Sequence, residues 1–399
     1  MKRLTLLLLG LALGVSATAS AQGLTMQMSN GWSFAFSGNV NVFWVFTKET
    51  NSGPTNSSIR TGLLPAFATF DAKGKEAGLN LGVHFGFAPQ IQNAGTHDQF
   101  VPTSVQAGAQ IDMRQVYLTI GFKDGSQILA GRELGLFGRQ NILNDMTLFG
   151  VGAVGIGAGN TQGGGTTLGR IGYGYIYPNF NAQITYSTKP GEAQLSVGLF
   201  QPSVLGASPF QFTRIPRVEA EFTYNQKSGK NNFNIWVGGL WQTTSDSASG
   251  GNSASSFGGT AGIKAGLSDL TIVVNGYIGK GLGTLLMFSE IAGGGVAAGG
   301  TELRTSDGGY AQLMYKVDPK WSLGASWGFS RLKNNSTAVA SGGDGNEAVR
   351  TQFNLATVGV YHQWTKSLKW VLEGSREQEG IGGGAPAQID VSTGFMLFY

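Results

Sequence analysis

Residues 321–331 read WSLGASWGFSR and alternate between two kinds of side chain. Serine or glycine separates the larger residues, which are Trp321, Leu323, Ala325, Trp327 and Phe329. Successive side chains of a β-strand point to opposite faces, so the segment predicts a strand with one aromatic, apolar face and one small, polar face. It also has the length of a tilted transmembrane strand, which needs roughly ten residues to cross a bilayer.

The same alternation recurs over 77–87 and over 32–46, with aromatic residues often near the segment ends. A soluble β-sandwich also alternates, so the pattern alone leaves a secreted soluble β-protein open. Aromatic segment ends are typical of the girdles of outer-membrane barrels, and the opposite faces carry mostly Gly, Ser, Asn and charged residues. These features favour an all-β fold, namely a transmembrane antiparallel β-barrel.

The N-terminus has the features of an export signal. Lys2 and Arg3 precede an apolar run over 4–15, and the small-residue sequence ASA follows at 19–21. This pattern predicts a secretory signal peptide over residues 1–21, too short and wrongly flanked for a spanning helix. Residues 22–399 are then expected to form one outer-membrane β-barrel domain.

The composition agrees with such a domain. The chain has 64 glycines, 13% charged residues and no cysteine. Each glycine in a helix costs roughly 1 kcal/mol relative to alanine, which argues against long helices. The formal net charge of +4 falls by two when Lys2 and Arg3 leave with the signal peptide. So small a charge argues against a nucleic-acid or anionic-surface partner.

Short links alternate along the chain with long polar or glycine-rich stretches. The predicted short links are 71–76, 123–125, 190–192, 225–232, 268–269, 317–320 and 364–367. The predicted long stretches are 48–59, 88–110, 135–170, 202–214, 243–257, 281–308, 332–350 and 377–388. Bacterial barrels show this asymmetry, with short periplasmic turns and long external loops.

The alternation also predicts the number of strands. It is unbroken when 171–187 forms a single strand with Pro178 as a bulge or strand entry, which gives about 16 strands. Eighteen strands are possible if one of the long loops contains a hairpin. At the C-terminus, Phe395, Leu397 and Tyr399 share one strand face. Since closing a sheet removes its edges, the last strand is expected to pair with the first strand near Trp32.

Several patches resemble the Gram-negative trimeric porins. They are RQVYLTIGF at 114–122, a KDG turn at 123–125, ILAGR at 128–132, GKGLG at 279–283 and the terminal aromatic residues. The resemblance implies an outer-membrane location, outer-membrane lipid around the wall and a homotrimer. It also implies that the outer-membrane assembly machinery reads Phe395, Leu397 and Tyr399.

The longest connection, 135–170, is expected to fold inward as a constriction loop, as in that family, although a floppy external loop is the alternative. It carries Arg139 and Asp145, and Glu133 lies at its root. Strand alternation points Arg217, Glu219, Glu221 and Lys264 into the lumen.

The resemblance implies that Arg132 and Arg114 lie on a basic wall. Arg114 shares its parity with Val116 and Leu118, so that role requires a bulge or a position above the bilayer. The complete set of pore-lining candidates is Arg114, Arg132, Glu133, Arg139, Asp145, Arg217, Glu219, Glu221 and Lys264. Their mixed signs predict weak ion selectivity.

The favoured function is passive diffusion of small hydrophilic solutes through a water-filled pore, without an enzyme activity, cofactor or metal. The dinucleotide-like GxGxxG match at 150–155 does not open a helix after a strand, and 64 glycines make chance matches common. The three histidines are too scattered for a metal motif. A barrel that displays its loops for binding or adhesion is the alternative, and an outer-membrane hydrolase is the least favoured one.

Overall fold

The computed structural model describes residues 24–29, 31–50, 53, 55–91, 111–156, 166–203, 210–249, 251–288, 302–341, 343–380 and 385–399. The predicted signal peptide, 1–21, lies outside these residues. No helix among them is long and apolar enough to cross a membrane.

The described residues form one sheet of eighteen strands, in which neighbouring strands pair antiparallel. The strands are β1 (Leu24–Gln27), β2 (Ser33–Glu49), β3 (Thr55–Arg60), β4 (Phe67–Glu76), β5 (Leu79–Pro89), β6 (Ile111–Gly121), β7 (Gln127–Leu134), β8 (Phe180–Ser187), β9 (Ala193–Phe200), β10 (Arg217–Ser228), β11 (Asn231–Ser245), β12 (Ser253–Leu267), β13 (Leu270–Lys280), β14 (Thr305–Lys316), β15 (Trp321–Lys333), β16 (Val349–Gln363), β17 (Leu368–Glu379) and β18 (Ala387–Phe398). The helical segments are α1 (Arg139–Leu143) and two 3₁₀ helices, Met146–Phe149 and Val339–Ser341.

The eighteen strands form a closed wall of sixteen positions. β3 and β4 share one position, because β3 pairs with the outer part of β2 and β4 pairs with its periplasmic part. β1 is a short extra strand that pairs with β2 over Ser33–Phe36, beyond the end of β18. The predicted sixteen-stranded barrel is therefore confirmed, with two extra strands.

The C-terminal strand closes the barrel. In β18, Phe395 pairs with Val42 and Leu397 with Val40. Gly38 and Tyr399 then exchange two backbone hydrogen bonds of 3.0 Å each. The predicted pairing of the last strand with the first is confirmed.

The outward face of the wall is apolar and the inward face is small and polar. In β15, Trp321, Leu323 and Trp327 are exposed on the outer surface, whereas Gly324 and Ser326 are buried. Aromatic rings cluster near the periplasmic turns: the Trp321 and Trp370 centroids lie 6.2 Å apart, and those of Trp364 and Phe395 lie 5.2 Å apart. Such a girdle places these turns at one membrane interface.

Four predicted connections are largely strand in the structure. β2 and β3 extend into 48–59, and β10 and β11 extend into 225–232. The link predicted at 71–76 belongs to β4, in which Asp71, Lys73 and Lys75 face inward in turn. The turn is Ala77-Gly78, with φ of 48° and 82°. The stretch 243–257, predicted to be a long loop, is mostly strand, because β11 and β12 pair as far as Ser245 and Ser253.

The predicted strand 171–187 is also wrong in its first half, because β8 begins only at Phe180. Residues 171–178 belong to the preceding connection, and Tyr173 and Tyr175 are buried inside the barrel. Their alternation with glycine imitates a strand. Pro178 precedes the strand by two residues, and the segment still contributes one strand to the count.

Candidate functional site

The connection between β7 and β8, residues 135–179, folds into the barrel, and we call it the inner loop. Its residues 157–165 lie outside the described part of the chain, and they are nine of the fifteen residues of the glycine-rich stretch VGAVGIGAGNTQGGG at 151–165. Loop side chains from Ile142 to Tyr175 form one buried cluster with the wall residues Phe43, Trp236 and Tyr361. The inward folding predicted for this connection is confirmed.

The start of the inner loop is held by two glutamates of β10. Glu219 accepts hydrogen bonds from the backbone N–H groups of Leu136 and Phe137 at 2.8 and 2.9 Å. Glu221 accepts from Arg139 at 2.6 Å and from Gln140 at 3.1 Å. Since Glu219 also accepts from Arg217 at 2.8 Å, its buried charge is paired.

The far side of the loop is held in the same way by two glutamates of β17. Glu373 Oε2 accepts from the backbone N–H groups of Val151 and Gly152 at 2.7 and 2.9 Å. Glu377 accepts from the N–H of Gly155 at 3.1 Å and from the Tyr173 hydroxyl at 2.9 Å. We call Glu219, Glu373 and Glu377 the three clamps, because each accepts main-chain N–H groups of the inner loop.

Between the clamps, Asn141 connects the helix α1 to the opposite wall. Its amide donates to Thr260 at 2.9 Å, and its side-chain oxygen accepts from the Trp236 indole at 2.8 Å. The Tyr310 hydroxyl donates to the backbone oxygen of Asn141 at 2.7 Å. The loop is therefore fixed to β11, β12 and β14 as well as to β10 and β17.

Asp145 and Arg170 lie inside the loop itself. The Asp145 carboxylate accepts from the N–H of Thr147 and the hydroxyl of Tyr175, both at 2.9 Å. Arg170 Nε lies 3.9 Å from the same carboxylate. Burial raises the pKa of the Asp145 carboxyl, and Arg170 opposes that shift. Asp145 therefore stabilises the loop from within instead of facing a water-filled passage.

The structure places Arg132 on the outer face of the barrel, which corrects the expectation that it lines the lumen. It pairs with Val116 and Ala182, and all three share the outward parity of β7. The expectation rested on the family resemblance. Strand alternation with Glu133, whose carboxylate faces inward and accepts from Gln115 at 2.8 Å, excludes it.

The bulge required by Arg114 is present. Gln115 pairs with Gly86 while Met113 pairs with Phe87, so Arg114 is the extra residue of β6. Its guanidinium bonds to Asp112 at 2.9 Å and approaches the Tyr177 hydroxyl of the inner loop at 3.4 Å.

Two features were missed from the sequence. The wall opens between β3 and β4, where residues 61–66 bend inward and Leu63 N–H donates to the inner-loop residue Gly150 at 3.0 Å. On the inner wall, His84 bonds to Asp71 at 3.1 Å and stacks on Tyr117 with ring centroids 4.8 Å apart. Sequence alternation indicates that Asp71, His84 and Tyr117 each face inward. Only the pairing of β4 with β5 and of β5 with β6 shows that the three side chains are neighbours.

Inward-facing charges near the periplasmic ends of the strands are all basic. Within four residues of those ends, the described strands carry the inward-facing lysines Lys73, Lys75, Lys227, Lys264, Lys316 and Lys369, and no inward-facing acid. Lys264 thus has the inward position that its parity predicted. The nearest carboxylate farther along β4 is Asp71, 4.0 Å from Lys73 Nζ. We call this set the lysine ring.

Described residues hold no group of three or more His, Cys, Asp or Glu side chains suited to a metal ion. The charges of the loop region are instead used in pairs, as in Arg217–Glu219 and Arg139–Glu221. The arrangement is that of a polar conduit narrowed by an anchored loop, with an excess of basic side chains on the inner face near one mouth.

Comparisons with known proteins agree with this geometry. The structure is similar to the outer membrane channel DcaP of Acinetobacter baumannii, with a TM-score of 0.64 at 14% identity over 94% of this chain and 99% of that one. It is also similar to OmpF of Salmonella typhi in a complex with daunomycin, with a TM-score of 0.59 at 10% identity over 94% and 100% of the chains. The trimer form of OmpT, an outer membrane protein of Vibrio cholerae, gives 0.55 at 12% identity over 92% and 100%.

Such low identities show the fold alone, and none of the curated proteins matches the sequence. The family profile described as Gram-negative porin, however, matches residues 5–380. The chain belongs to the Gram-negative porin family, and it is an outer-membrane channel for passive diffusion.

Proposed function

We propose that this channel passes small hydrophilic solutes and prefers anions over cations. The observation that carries the proposal is the lysine ring. Low-dielectric walls focus the field of a few lumen charges, so these lysines outweigh the small net charge of the chain. This replaces the weak selectivity expected from the sequence, which counted the buried Asp145 as a lumen charge and included only Lys264 of the lysine ring.

The charges nearer the inner loop contribute less to selectivity. Arg217 is paired with Glu219, Arg139 with Glu221 and Arg170 with Asp145. A bonded pair of opposite charges leaves little net field for a passing ion. The pore-lining set that we propose is therefore the lysine ring together with Glu133, Arg139 and Glu221, and the inner loop sets the size limit.

We further propose a homotrimer, since the trimer form of OmpT shares the fold. The assembly machinery of the outer membrane would read the terminal strand through Phe395, Leu397 and Tyr399. Phe395 and Leu397 are exposed on the outer wall, where another protein can reach them before the barrel is embedded. No contact in the described residues favours the adhesion or hydrolase alternative over a channel.

Reversal potentials in a salt gradient test the anion preference. The wild type should show an anion-selective potential, and Lys73→Glu combined with Lys264→Glu should move it towards cation selectivity. The shift should shrink at high salt, because the Debye length is roughly 3 Å at 1 M and about 10 Å at 0.1 M. Arg132→Glu is the control for each single lysine substitution, since it makes the same change of charge as one of them, but on the outer face.

A wild type without conductance steps would contradict the channel itself. A cation-selective or unselective wild type with normal conductance would contradict only the anion preference. An Arg132→Glu shift as large as that of the lysine variants would show that the lysine ring does not set the potential.

A further inference from the structure

The outer wall has a shallow concavity on its membrane-facing surface. A cavity of about 730 Å³ extends across β13 to β18. Its floor consists of small outward-facing residues, namely Ala311, Ala325, Ala356 and Gly374. The larger side chains of Leu313, Trp327 and Val358 project from the wall around this floor. Trp327 is 52% exposed and Val358 62% exposed, so this apolar surface faces the membrane. We call it the outer groove.

Arg376 lies at the edge of the outer groove and faces outward. Its strand neighbours at the same level are Ala356 on β16 and Ile389 on β18, which are both apolar. Its side chain donates to Gln378 at 3.3 Å, which leaves most of the guanidinium donors for another partner. Lys48 on β2 pairs with Ile389, so a second outward cation lies one strand further along.

Arg376 lies near the external edge of the apolar band of the wall. It follows the periplasmic end of β17 by eight residues. At a rise of about 3.3 Å per residue and a tilt of about 40°, it stands roughly 20 Å above the turn, within an apolar band about 25 Å tall. An arginine on the lipid face costs roughly 2–4 kcal/mol at the midplane but only about 0–1 kcal/mol near the interface, so Arg376 is tolerated at this level. Its guanidinium also lies within reach of the headgroup region, where the phosphate groups of lipids are found.

The wall of a second copy offers no such anion. On the described strands, the outward-facing carboxylates are Glu76 and Asp307. Glu76 is at the periplasmic end, where it accepts from the Trp32 indole. Asp307 is paired with Arg331 and Lys333 of the same chain. Contact between two walls would therefore leave Arg376 and Lys48 without an opposite charge.

We propose that the outer groove binds one anionic phospholipid-type molecule, with an acyl chain over Ala325, Ala356 and Gly374 and a phosphate between Arg376 and Lys48. Adjacent strands are about 4.8 Å apart, so the two Cα atoms are separated by roughly 10 Å and both long side chains reach a shared phosphate. Arginine and phosphate form charge-assisted, often bidentate hydrogen bonds. The small net charge of the whole chain argues against an anionic partner, but binding at this site depends on the two neighbouring outward cations, Arg376 and Lys48.

Native mass spectrometry of the full oligomer in non-ionic detergent tests the site. The protein is titrated with phosphatidylglycerol or with phosphatidylcholine of the same acyl chains. The wild type should prefer phosphatidylglycerol, and Arg376→Gln should reduce that preference roughly fivefold, the contribution of one basic residue near a membrane surface. Lys48→Gln should have an effect of similar size.

Two further variants separate the headgroup from the groove. Arg132→Gln removes an outward arginine on β7, far from the groove in strand order, and should leave the preference unchanged. Gly374→Leu fills the groove, and a Cβ there meets only Val358 Cγ2, at 3.9 Å, so the fold tolerates it. This variant should weaken the binding of both lipids to a similar extent.

Equal binding of the two lipids by the wild type would overturn the proposal, as would an Arg132→Gln effect equal to that of Arg376→Gln. A third outcome assigns the surface differently. If Arg376→Gln dissociates the oligomer while the lipid preference per protomer stays unchanged, the groove contacts a second copy and not a lipid.

Discussion

Removal of the central clamp by Glu373→Ala should loosen the inner loop and leave the barrel closed. Glu373 is buried, and its carboxylate accepts from Val151 and Gly152 of the loop and from the Tyr361 hydroxyl of β16 at 2.6 Å. The backbone pairing of β17 does not involve this side chain. The substitution therefore acts on the attachment of the loop to the wall.

The size of the effect follows from the bonds that are lost. A hydrogen bond to a charged group contributes about 1.5–3 kcal/mol, so the two bonds to the loop amount to about 4 kcal/mol. At about 1.4 kcal/mol per factor of ten, local opening of the loop near Val151 should become roughly a thousand times more frequent. Glu373→Gln can keep its one oxygen towards both loop N–H groups and turn its NH₂ group towards the Tyr361 hydroxyl. It loses the negative charge that strengthens these bonds, so its effect should lie between that of Ala and the wild type.

Hydrogen exchange measures the opening directly. Protection of the Val151 and Gly152 amides should fall by about the same factor of a thousand, while the amides of β17 stay protected. Single-channel recordings should show noisier openings with larger conductance substates. Ser375→Ala is the control, because Ser375 is the next inward residue of β17 and its hydroxyl bonds at 2.9 Å to Thr357 of the neighbouring strand β16.

Unchanged amide protection in Glu373→Ala would refute the assignment of this residue as an anchor. Normal protection together with altered conductance would also count against it, because the loop would then move without breaking these bonds. A Ser375→Ala effect of the same size would indicate a general loss of wall stability and not the loss of a clamp.

Deletion of 395–399 should prevent barrel closure, because it removes part of the pairing between β18 and β2. The expected result is loss of the heat-resistant band on gel electrophoresis, and a normal band would contradict the closing role of this segment. Asn141→Ala should destabilise the loop by about 1–3 kcal/mol, because the Trp236 indole loses its buried acceptor, and a red shift of tryptophan emission with no shift in Asn144→Ala would identify the site. Asp344→Asn should speed proteolysis between β15 and β16 at pH 7 and remove its pH dependence. The hydrogen bonds from Arg304 lower the pKa of Asp344, so its stabilisation is complete above the ordinary aspartate pKa of about 3.9 and is lost as the pH falls through the lowered value. Proteolysis that stays pH-dependent in the variant would exclude Asp344 as the titrating group.

The wall of the barrel could be predicted from the sequence because strand alternation is a local property. The side chains of WSLGASWGFSR alternate between the two faces of the strand, so the pattern of polarity shows which face each one occupies. A charged side chain on the lipid face is destabilising, which keeps the outward positions apolar. The same reasoning placed Glu219, Glu221 and Lys264 correctly on the inner face. It also required a bulge at Arg114, and the structure has one.

The interior of the barrel could not be predicted in the same way. Tyr173 and Tyr175 alternate with glycine as strand residues do, yet they lie in the inner loop, because burial inside a lumen imposes no period of two. Arg132 was assigned to the lumen by a resemblance, against the parity of Glu133 beside it. Partners such as Glu373 and Val151 are separated by more than two hundred residues, and only the closed register brings them together.

The three clamps have a consequence for how such a channel can change over evolutionary time. Each grips the peptide groups of the inner loop, so the anchorage does not depend on which side chains the loop carries at Leu136, Phe137 or Val151. The side chains at these three positions can then be exchanged without losing the bonds to the wall glutamates. Asn141, whose side chain bonds to the wall, and Gly150, where a Cβ would meet Glu373, are not exchangeable in this way. Substitutions at Leu136, Phe137 or Val151 can therefore change which solutes permeate without changing the fold of the barrel.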